Sequence, residues 1–467
     1  MTSCTPRGVR LSVSAVQALR RVTEQHQSLE SAFESVKRGI PRYEHGTLRE
    51  LCSGSLRHWH SNSAIIESVA PAVVRDDLTA RLLVASTIHE AQHMRRSSRR
   101  QLLARLVGTA EVLALQHPSA VVDACTRALA LTPHDLKSLH TEASALSLPE
   151  WLHSRLSAET PLDSYAELVL QRPDMLALCV EPSVWSRDAY AALLRSQGLD
   201  ASLSSLAPLA VLLHSRPRDV RSVPGLQQQH VHVQDPTQQY GVTTLLRQLA
   251  VNDRVLDACA APGGKTRALL RTQPHVRVVA LERASAKAAA MKAAVAAGGL
   301  TQVSVRCADA TQPDRWWDGR LFGAVVLDAP CTGTGILRTR PEVKLRHDEP
   351  SLASLQQTQL RLLRATWPLL REGGELLYTT CSMLAAENQH IVAQFVAAEP
   401  TATAAALTPP RHHDVSCAAG AHGVTFFPSA THQGGFVALL RKTGDGGSGP
   451  ERGDRRVRRR KDPPSTV

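Results

Sequence analysis

The sequence contains no CxxC pair. Its nine cysteines, an odd number, are scattered from Cys4 to Cys417. That spacing excludes a zinc knuckle built on cysteine pairs and offers no disulfide framework, so no metal site is expected. Thiols used this way suit a reducing, cytoplasmic compartment. Met1 to Arg10 lacks the apolar stretch of a secretory signal. Nowhere do about 18 apolar residues run together, so no membrane span is expected. The first third of the chain is also poor in Gly and Pro, which leaves little to interrupt helices there.

What is present suits a soluble chain of two or three domains: 467 residues, 43% hydrophobic and 21% charged. Lys and Arg number 54 against 42 Asp and Glu, for a net charge of +12. A cationic excess favours a polyanionic partner, because neutralised phosphates release counterions. Charge alone does not decide this, since many basic proteins bind no nucleic acid.

Residues 8–158 read as all-helical. Val13, Val16, Leu19 and Val22 recur at near-helical spacing, as do Leu48, Cys52, Leu56 and Trp59. Arg95, Arg96, Arg99 and Arg100 form a cationic group that suits either a phosphate or a solvated helix face. Residues 159–238 are punctuated by proline and read as a small α+β connector, with one short helix over Ser186 to Gln197. Residues 239–442 alternate strand and helix. The apolar runs Arg254–Asp257, Val276–Leu281, Ser304–Ala308, Leu321–Leu327 and Gly374–Tyr378 read as strands, with helices such as Ala284–Ala297 and Ser354–Leu370 between them. Such a pattern predicts a parallel sheet covered on both faces: a doubly wound, Rossmann-like α/β domain with ligands beyond the carboxyl ends of its strands. Residues 443–467 are rich in Gly, Arg and Pro and read as a basic disordered tail.

Three motifs and two single carboxylates carry chemistry. Asp257 to Thr266 (DACAAPGGKT) follows the first strand, and Gly263 and Gly264 let the backbone approach a ligand. It ends like a phosphate loop, but the required earlier glycine is Cys259, which rules out a nucleoside triphosphate site. Glu282 ends the second strand, where a carboxylate can hold ribose hydroxyls; a surface glutamate is the plain alternative. Asp309 follows the third strand and suits either an adenine edge or a helix cap. Asp328 to Gly335 (DAPCTGTG) and Tyr378 to Ser382 (YTTCS) end the fourth and fifth strands and bring Cys331 and Cys381 to one sheet edge. Two thiols and a carboxyl group suit one reaction well. A thiolate added to C6 of cytosine makes C5 nucleophilic enough to take a methyl group, and the thiol is then expelled.

The motifs DACAAPGGKT, DAPCTGTGILRTRPEVK and YTTCSMLAAEN resemble those of the RsmB/Sun/NSUN family of RNA 5-methylcytosine methyltransferases, over roughly residues 215–442. VPGLQQQHVHVQDPTQQ and GGFVALLRK extend the likeness. SVSAVQALRRVTEQHQSLESAF, RELCSGSLRHW and PEWLHSRL resemble the NusB-like helical domain of the ribosomal RNA branch. The resemblance implies S-adenosylmethionine as cofactor, bound along Cys259, Ala260, Ala261, Pro262, Gly263, Gly264 and Lys265. It implies Glu282 at the ribose, Asp309 at the adenine and Asp328 between cofactor and base. It makes Cys381 the nucleophile and Cys331 the thiol that assists release, an arrangement distinct from DNA methyltransferases, which lack the TCS cysteine. Lys344, with Arg338 and Arg340, is expected to meet RNA phosphates. The implied substrate is a cytidine of 16S ribosomal RNA, and the enzyme is expected to be a cytoplasmic monomer. Transfer RNA or another RNA remains an alternative substrate, and a non-catalytic NusB-like assembly factor an alternative role. Three departures from the family pattern, Leu178, Val180 and Pro236, fall in the connector, which is expected to face RNA.

Overall fold

In the computed structural model the described residues are 7–94, 96–160, 168–217, 219–246, 249–408 and 410–444. Arg95, and the tail beyond Gly444, lie outside them. No helix among the described residues is long and apolar enough to cross a membrane.

From Arg7–Glu24 to Glu150–Glu159 the chain is helical. The first helix buries Ala15, Val16, Leu19 and Val22 on one stripe. That stripe meets Leu48, Leu51, Cys52 and Leu56 from helix His45–Arg57, and Leu82, Leu83 and Ile88 from helix Leu78–His89, in a single core. Ser98 caps helix Arg99–Val112 reciprocally with Gln101. Arg96, Arg99 and Arg100 are exposed at that end, and Arg99 donates to the Thr126 carbonyl at 2.8 Å.

The next segment forms an antiparallel sheet of four strands, β1 (Leu176–Val180), β2 (Ala201–Leu203), β3 (Ala210–Leu213) and β4 (Val231–Val233), in the order β2-β3-β1-β4. Helix Arg187–Ser196 packs on it through Tyr190, Ala191 and Leu194. Leu178 and Val180 are fully buried in this core. Their apolar side chains are therefore packing residues of the small domain's core. Pro236 opens helix Pro236–Tyr240 at a position where its missing N–H costs nothing, behind an Asp235 cap that accepts from Thr237 N at 3.0 Å.

The remaining strands build a larger sheet: β5 (Arg254–Asp257), β6 (Arg277–Glu282), β7 (Val303–Cys307), β8 (Phe322–Asp328), β9 (Leu370–Thr380), β10 (Ala402–Ala404), β11 (Cys417–Gly420), β12 (Gly423–Phe426) and β13 (Gly435–Lys442). Its order is β11-β12-β13-β9-β8-β5-β6-β7, with β10 also on β13. The five strands from β9 to β7 are parallel, and β13 runs antiparallel to β9. Side chains of β8 alternate: Val325 and Leu327 face helices Glu349–Thr366 and Gln389–Ala398, while Ala324 and Val326 face helices Gly264–Thr272 and Ser285–Ala297. The chain winds outward in one direction from β5 through β6 to β7, then returns to the other side of β5 with β8 and β9. The order reverses between β5 and β8, so their carboxyl ends leave a crevice at the switch point.

Candidate active site

Asp257 ends β5 and Asp328 ends β8, one on each side of that crevice. A cavity of about 270 Å³ opens there, lined by Cys259, Ala260, Ala261, Pro262, Gly264 and Lys265 of the glycine-containing turn and by Gln234, Asp235 and Gln238 from the segment before β5. Gly263 takes φ +98°, which an L side chain rarely adopts, and thereby turns the chain from β5 into helix Gly264–Thr272. The amino end of that helix meets the cavity at Gly264 and Lys265.

The turn is held from below. Thr266 Oγ1 donates to Asp257 Oδ2 at 2.5 Å. Asp257 is buried, and burial, only partly offset by that bond, pushes its carboxyl up to about 6. Its other oxygen, Oδ1, is buried without a hydrogen-bond partner. Lys265 Nζ lies 2.8 Å from Asp328 Oδ2 and also donates to Gln238 Oε1. Thr379 Oγ1 at the end of β9 donates to Asp328 Oδ1 at 3.0 Å.

Glu282 and Asp309 stand at the same edge, outside the residues lining the cavity. Glu282 Oε1 accepts from Ala284 N at 2.7 Å. Asp309 Oδ1 accepts from Thr311 N and Thr311 Oγ1, at 2.9 and 2.7 Å. Burial works to raise the Asp309 carboxyl, but these bonds, with Arg283 and Arg361, outweigh it and its pKa is lowered. Burial, then the charges of Asp328, Asp257, Glu282 and Asp309, raise the Cys259 thiol. Four carboxylates thus converge on the turn.

Beyond Asp328 the chain turns at Pro330 and brings Cys331 against Cys381, with their Sγ atoms 3.4 Å apart. The contact with Cys381, followed by burial, holds the Cys331 thiol well above its ordinary range. The close approach depends on small residues. A Cβ on Gly335 would lie 2.5 Å from the Gly434 backbone and 2.9 Å from the Cys381 carbonyl, which Gly335 N–H reaches at 2.9 Å.

Sequence reasoning gave no role to the residues that fasten these two loops together. Glu387, fully buried, accepts from Thr332 N at 2.9 Å, Thr332 Oγ1 at 2.5 Å and Gln359 Nε2 at 3.1 Å. Burial raises its carboxyl. Asn388 accepts from Thr380 Oγ1 at 2.6 Å and donates to the Ser382 carbonyl at 2.9 Å. Thr334 Oγ1 meets Ser382 Oγ at 3.1 Å. The loop after β8 and the loop after β9 are therefore cross-tied on both sides of the cysteine pair. The signal was the Glu-Asn dipeptide inside YTTCSMLAAEN, which says nothing of its targets until the loops are placed.

The expected RNA contacts need correction. Lys344 is buried, and its Nζ donates to the carbonyls of Arg57 and Ser147, each at 2.6 Å, and to Ser147 Oγ at 3.2 Å. Arg338 is buried and donates to the Ser429 carbonyl at 2.6 Å. Both serve packing within and between domains, and neither presents its charge to solvent. Arg340 is half exposed. It borders a cleft of about 430 Å³ between the helical region, the small sheet and the catalytic loops. Arg49, Arg172 and Arg216 line the same cleft, and Gln234 and Asp235 line both cleft and cavity. Arg49 is paired with Glu30 at 2.6 and 3.0 Å, and Arg172 with Glu50 at 2.9 Å. Among the described residues Arg216 has no such ion pair, and partial burial, then the charges of Arg172 and Arg49, lower its pKa.

Residues 244–441 match the family model described as 16S rRNA methyltransferase RsmB/F. The chain is 31% identical over 414 residues to ribosomal RNA small subunit methyltransferase B of Sodalis glossinidius, covering 84% of this chain and 90% of that one. It is 32% identical over 396 residues to the protein of the same name from Pseudomonas syringae pv. tomato, covering 82% and 86%. Among solved structures it is similar to that of PH0851, with a TM-score of 0.75 and 20% identity over 94% of this chain and 99% of that one. This last likeness extends the shared fold across the helical region as well as the sheet. With a doubly wound domain, two thiols at its switch-point edge and relatives matched over most of their length, the chain belongs to the RsmB family of ribosomal RNA methyltransferases.

Proposed function

We propose that this chain methylates carbon 5 of a cytidine in 16S ribosomal RNA, using S-adenosylmethionine, through a covalent bond from Cys381 to C6. The observation that carries the reading is the pair of thiols, 3.4 Å apart, beside a cavity edged with carboxylates. A relative's name supports the substrate, and the solved structure of NSun6 from Pyrococcus horikoshii with SFG, at TM-score 0.53 and 17% identity, has the same fold.

The cavity fits the cofactor. Its orphaned buried acceptor, Asp257 Oδ1, calls for a donor such as the methionine ammonium. The amino end of helix Gly264–Thr272 suits a carboxylate. Glu282 would hold the ribose hydroxyls, and Asp309 the adenine side. When bound, S-adenosylmethionine supplies an electrophilic methyl group.

The chain's own residues do the rest. Cys331, whose thiol is held up by its contact with Cys381 and by burial, would donate its proton toward Cys381 as that sulfur adds to the base. Cys381 adds to C6, and the electrons of the C5–C6 double bond are directed to C5. Asp328 is placed to bond the base while Lys265 and Thr379 fix its carboxylate. After methyl transfer the C5 proton leaves to a base, the double bond re-forms and the sulfur departs, with Cys331 supplying a proton to it. The target base must leave its stack, at a cost of about a few kcal/mol. The NusB-like helical region and the arginine cleft would hold the flanking RNA. The setting is cytoplasmic.

The test is transfer from labelled S-adenosylmethionine to unmodified 16S RNA. Wild type should label cytosine C5. Cys381→Ala should be inactive, and Cys331→Ala should accumulate a protein–RNA adduct. An active Cys381→Ala with an inactive Cys331→Ala would reverse the two roles. Unlabelled 16S RNA beside labelled transfer RNA would move the substrate, and binding without labelling of any RNA would favour an assembly role.

A further inference from the structure

The helical region gathers three histidines far from the cysteine pair in sequence. His58 sits where helix His45–Arg57 gives way to helix Trp59–Val69. His89 ends helix Leu78–His89, and His93 follows four residues later in the π-helical turn Glu90–Met94. The ring of His93 stacks on His58 at 3.9 Å between centroids and lies 5.1 Å from His89, while His58 and His89 are 5.6 Å apart. One ring nitrogen from each lies within 4.8 Å of the other two.

We propose that these three imidazoles bind a divalent transition metal, zinc by the chemistry of the donors. Four observations support this. First, His89 is 2% exposed, yet neither ring nitrogen has a hydrogen-bond partner. Glu50 Oε1, at 3.9 Å from Nε2, is too distant to be one. A buried polar group left unmatched is costly, and a metal would use its lone pair. Second, the three ring nitrogens, each within 4.8 Å of the other two, are close enough to be drawn onto a single ion. Third, space for the His89 ring is made by Gly54, where any Cβ would collide with Nε2. Fourth, His93 is exposed, which leaves an entry path and room for a water as fourth ligand.

Metal–nitrogen bonds of about 2.0–2.1 Å require the nearly parallel rings to turn until their lone pairs converge. That rotation is mostly about χ2, a broad torsion for histidine. The charges facing the cluster are mixed. Arg57 and Lys344 oppose a cation, and the Glu50 carboxylate favours it. The position gives the metal a structural role. Arg57, next to His58, donates Nη2 to the Arg338 carbonyl at 2.8 Å and receives Lys344 on its own carbonyl, so the cluster lies behind the seam between helical and catalytic regions. The sequence hides this site because its ligands stand at 58, 89 and 93, with only the last two at a familiar spacing.

The test uses the full chain without a polyhistidine tag, stripped by chelator and titrated with zinc and with cobalt. The expected result is one equivalent bound per chain, a cobalt spectrum without thiolate charge-transfer absorption, and a raised melting temperature with zinc. His93→Ala, an exposed position, should keep its far-ultraviolet circular dichroism and bind metal at least about tenfold more weakly. His89→Ala should do the same. The proposal is overturned by no stoichiometric binding, by unchanged binding in His93→Ala, or by a thiolate band, which would put the metal on Cys331 and Cys381.

Discussion

The sheet edge that carries the thiols and the cleft that carries the arginines are built on opposite plans. At the edge, the residues to which we assign the chemistry come from short contiguous motifs, each at the end of its own strand: Asp257, Asp328 with Cys331, and Cys381. The cleft is assembled from residues that are strangers in sequence: Arg49, Arg172, Arg216 and Arg340. At the edge, polar groups other than Asp257 Oδ1 are matched to one another within one domain, whereas in the cleft cationic side chains converge from three regions. Reactive atoms need fixed separations, and strand ends supply them. A polyanion needs only cations along a path, and any scaffold that brings them together suffices.

The comparison breaks most severely at Glu387. Replacing it by Ala strips the acceptor from Thr332 N, Thr332 Oγ1 and Gln359 Nε2 inside a buried site. Thermal unfolding should show a loss of about 3–5 kcal/mol. Methyl transfer should fall on the order of 100-fold, because the two cysteine loops lose their shared tie. Glu387→Gln keeps the shape and one acceptor oxygen and should recover part of both losses. If Glu387→Ala is as stable and active as wild type, the loops are held by something else.

Lys344 is the next largest test. It is a cation in a catalytic-region motif, yet it acts at the seam by donating to Arg57 and Ser147. No carboxylate pairs with it among the described residues, so its worth lies in those bonds alone. Lys344→Ala leaves two buried carbonyls unmet and should cost about 2–4 kcal/mol by denaturant unfolding. Lys344→Met, which fills the volume without the charge, should cost less. Neither variant should change the salt slope of RNA binding. A changed slope would return Lys344 to the phosphate role expected from its motif.

Here lies the boundary of what the sequence makes legible. The parallel core is readable because each strand is an apolar run closed by a small or acidic residue; Arg254–Asp257 coincides with β5. Where reading and structure differ, local geometry is the reason. Gly373 and Gly374 look like a strand boundary, but β9 runs from Leu370 to Thr380 and absorbs them as a bulge against β8. Helix Glu349–Thr366 starts before Ser354 because Asp348 caps it reciprocally with Ser351. The thiols and the glycine turn are legible from motif chemistry. Burial is not: the cationic Lys344 and Arg338 look solvent-facing in the chain and are enclosed by elements distant in sequence.

Asp257 sharpens the comparison through pH. Its carboxyl is raised by burial to about 6, against an unfolded value of about 3.9. Between those values the folded protein binds more protons than the unfolded chain, so this group makes stability rise as pH falls from 6 to 4. Above pH 6 the buried charge costs roughly 2–3 kcal/mol. Asp257→Asn should remove that dependence, which unfolding midpoints measured for both proteins at pH 4 and pH 7 would reveal. A dependence that persists in Asp257→Asn assigns it to another group.

The smallest effect belongs to the cleft, where each cation would meet a phosphate separately from the others. Among the described residues Arg216 has no ion pair to break, so Arg216→Ala should leave the unfolding free energy within about half a kcal/mol of wild type. RNA affinity should fall severalfold, and the slope of log affinity against log salt should shrink by about 0.7 to 0.9. Arg340→Ala should give the same change of slope with a larger stability loss, because Arg340 lies 3.9 Å from the buried Glu342 carboxylate. Adding both substitutions should sum their slopes, since phosphate contacts at separate points on a strand act independently. An unchanged slope in the double variant would remove the cleft from the RNA path, leaving the exposed Arg96, Arg99 and Arg100 of the helical region as the next surface to test.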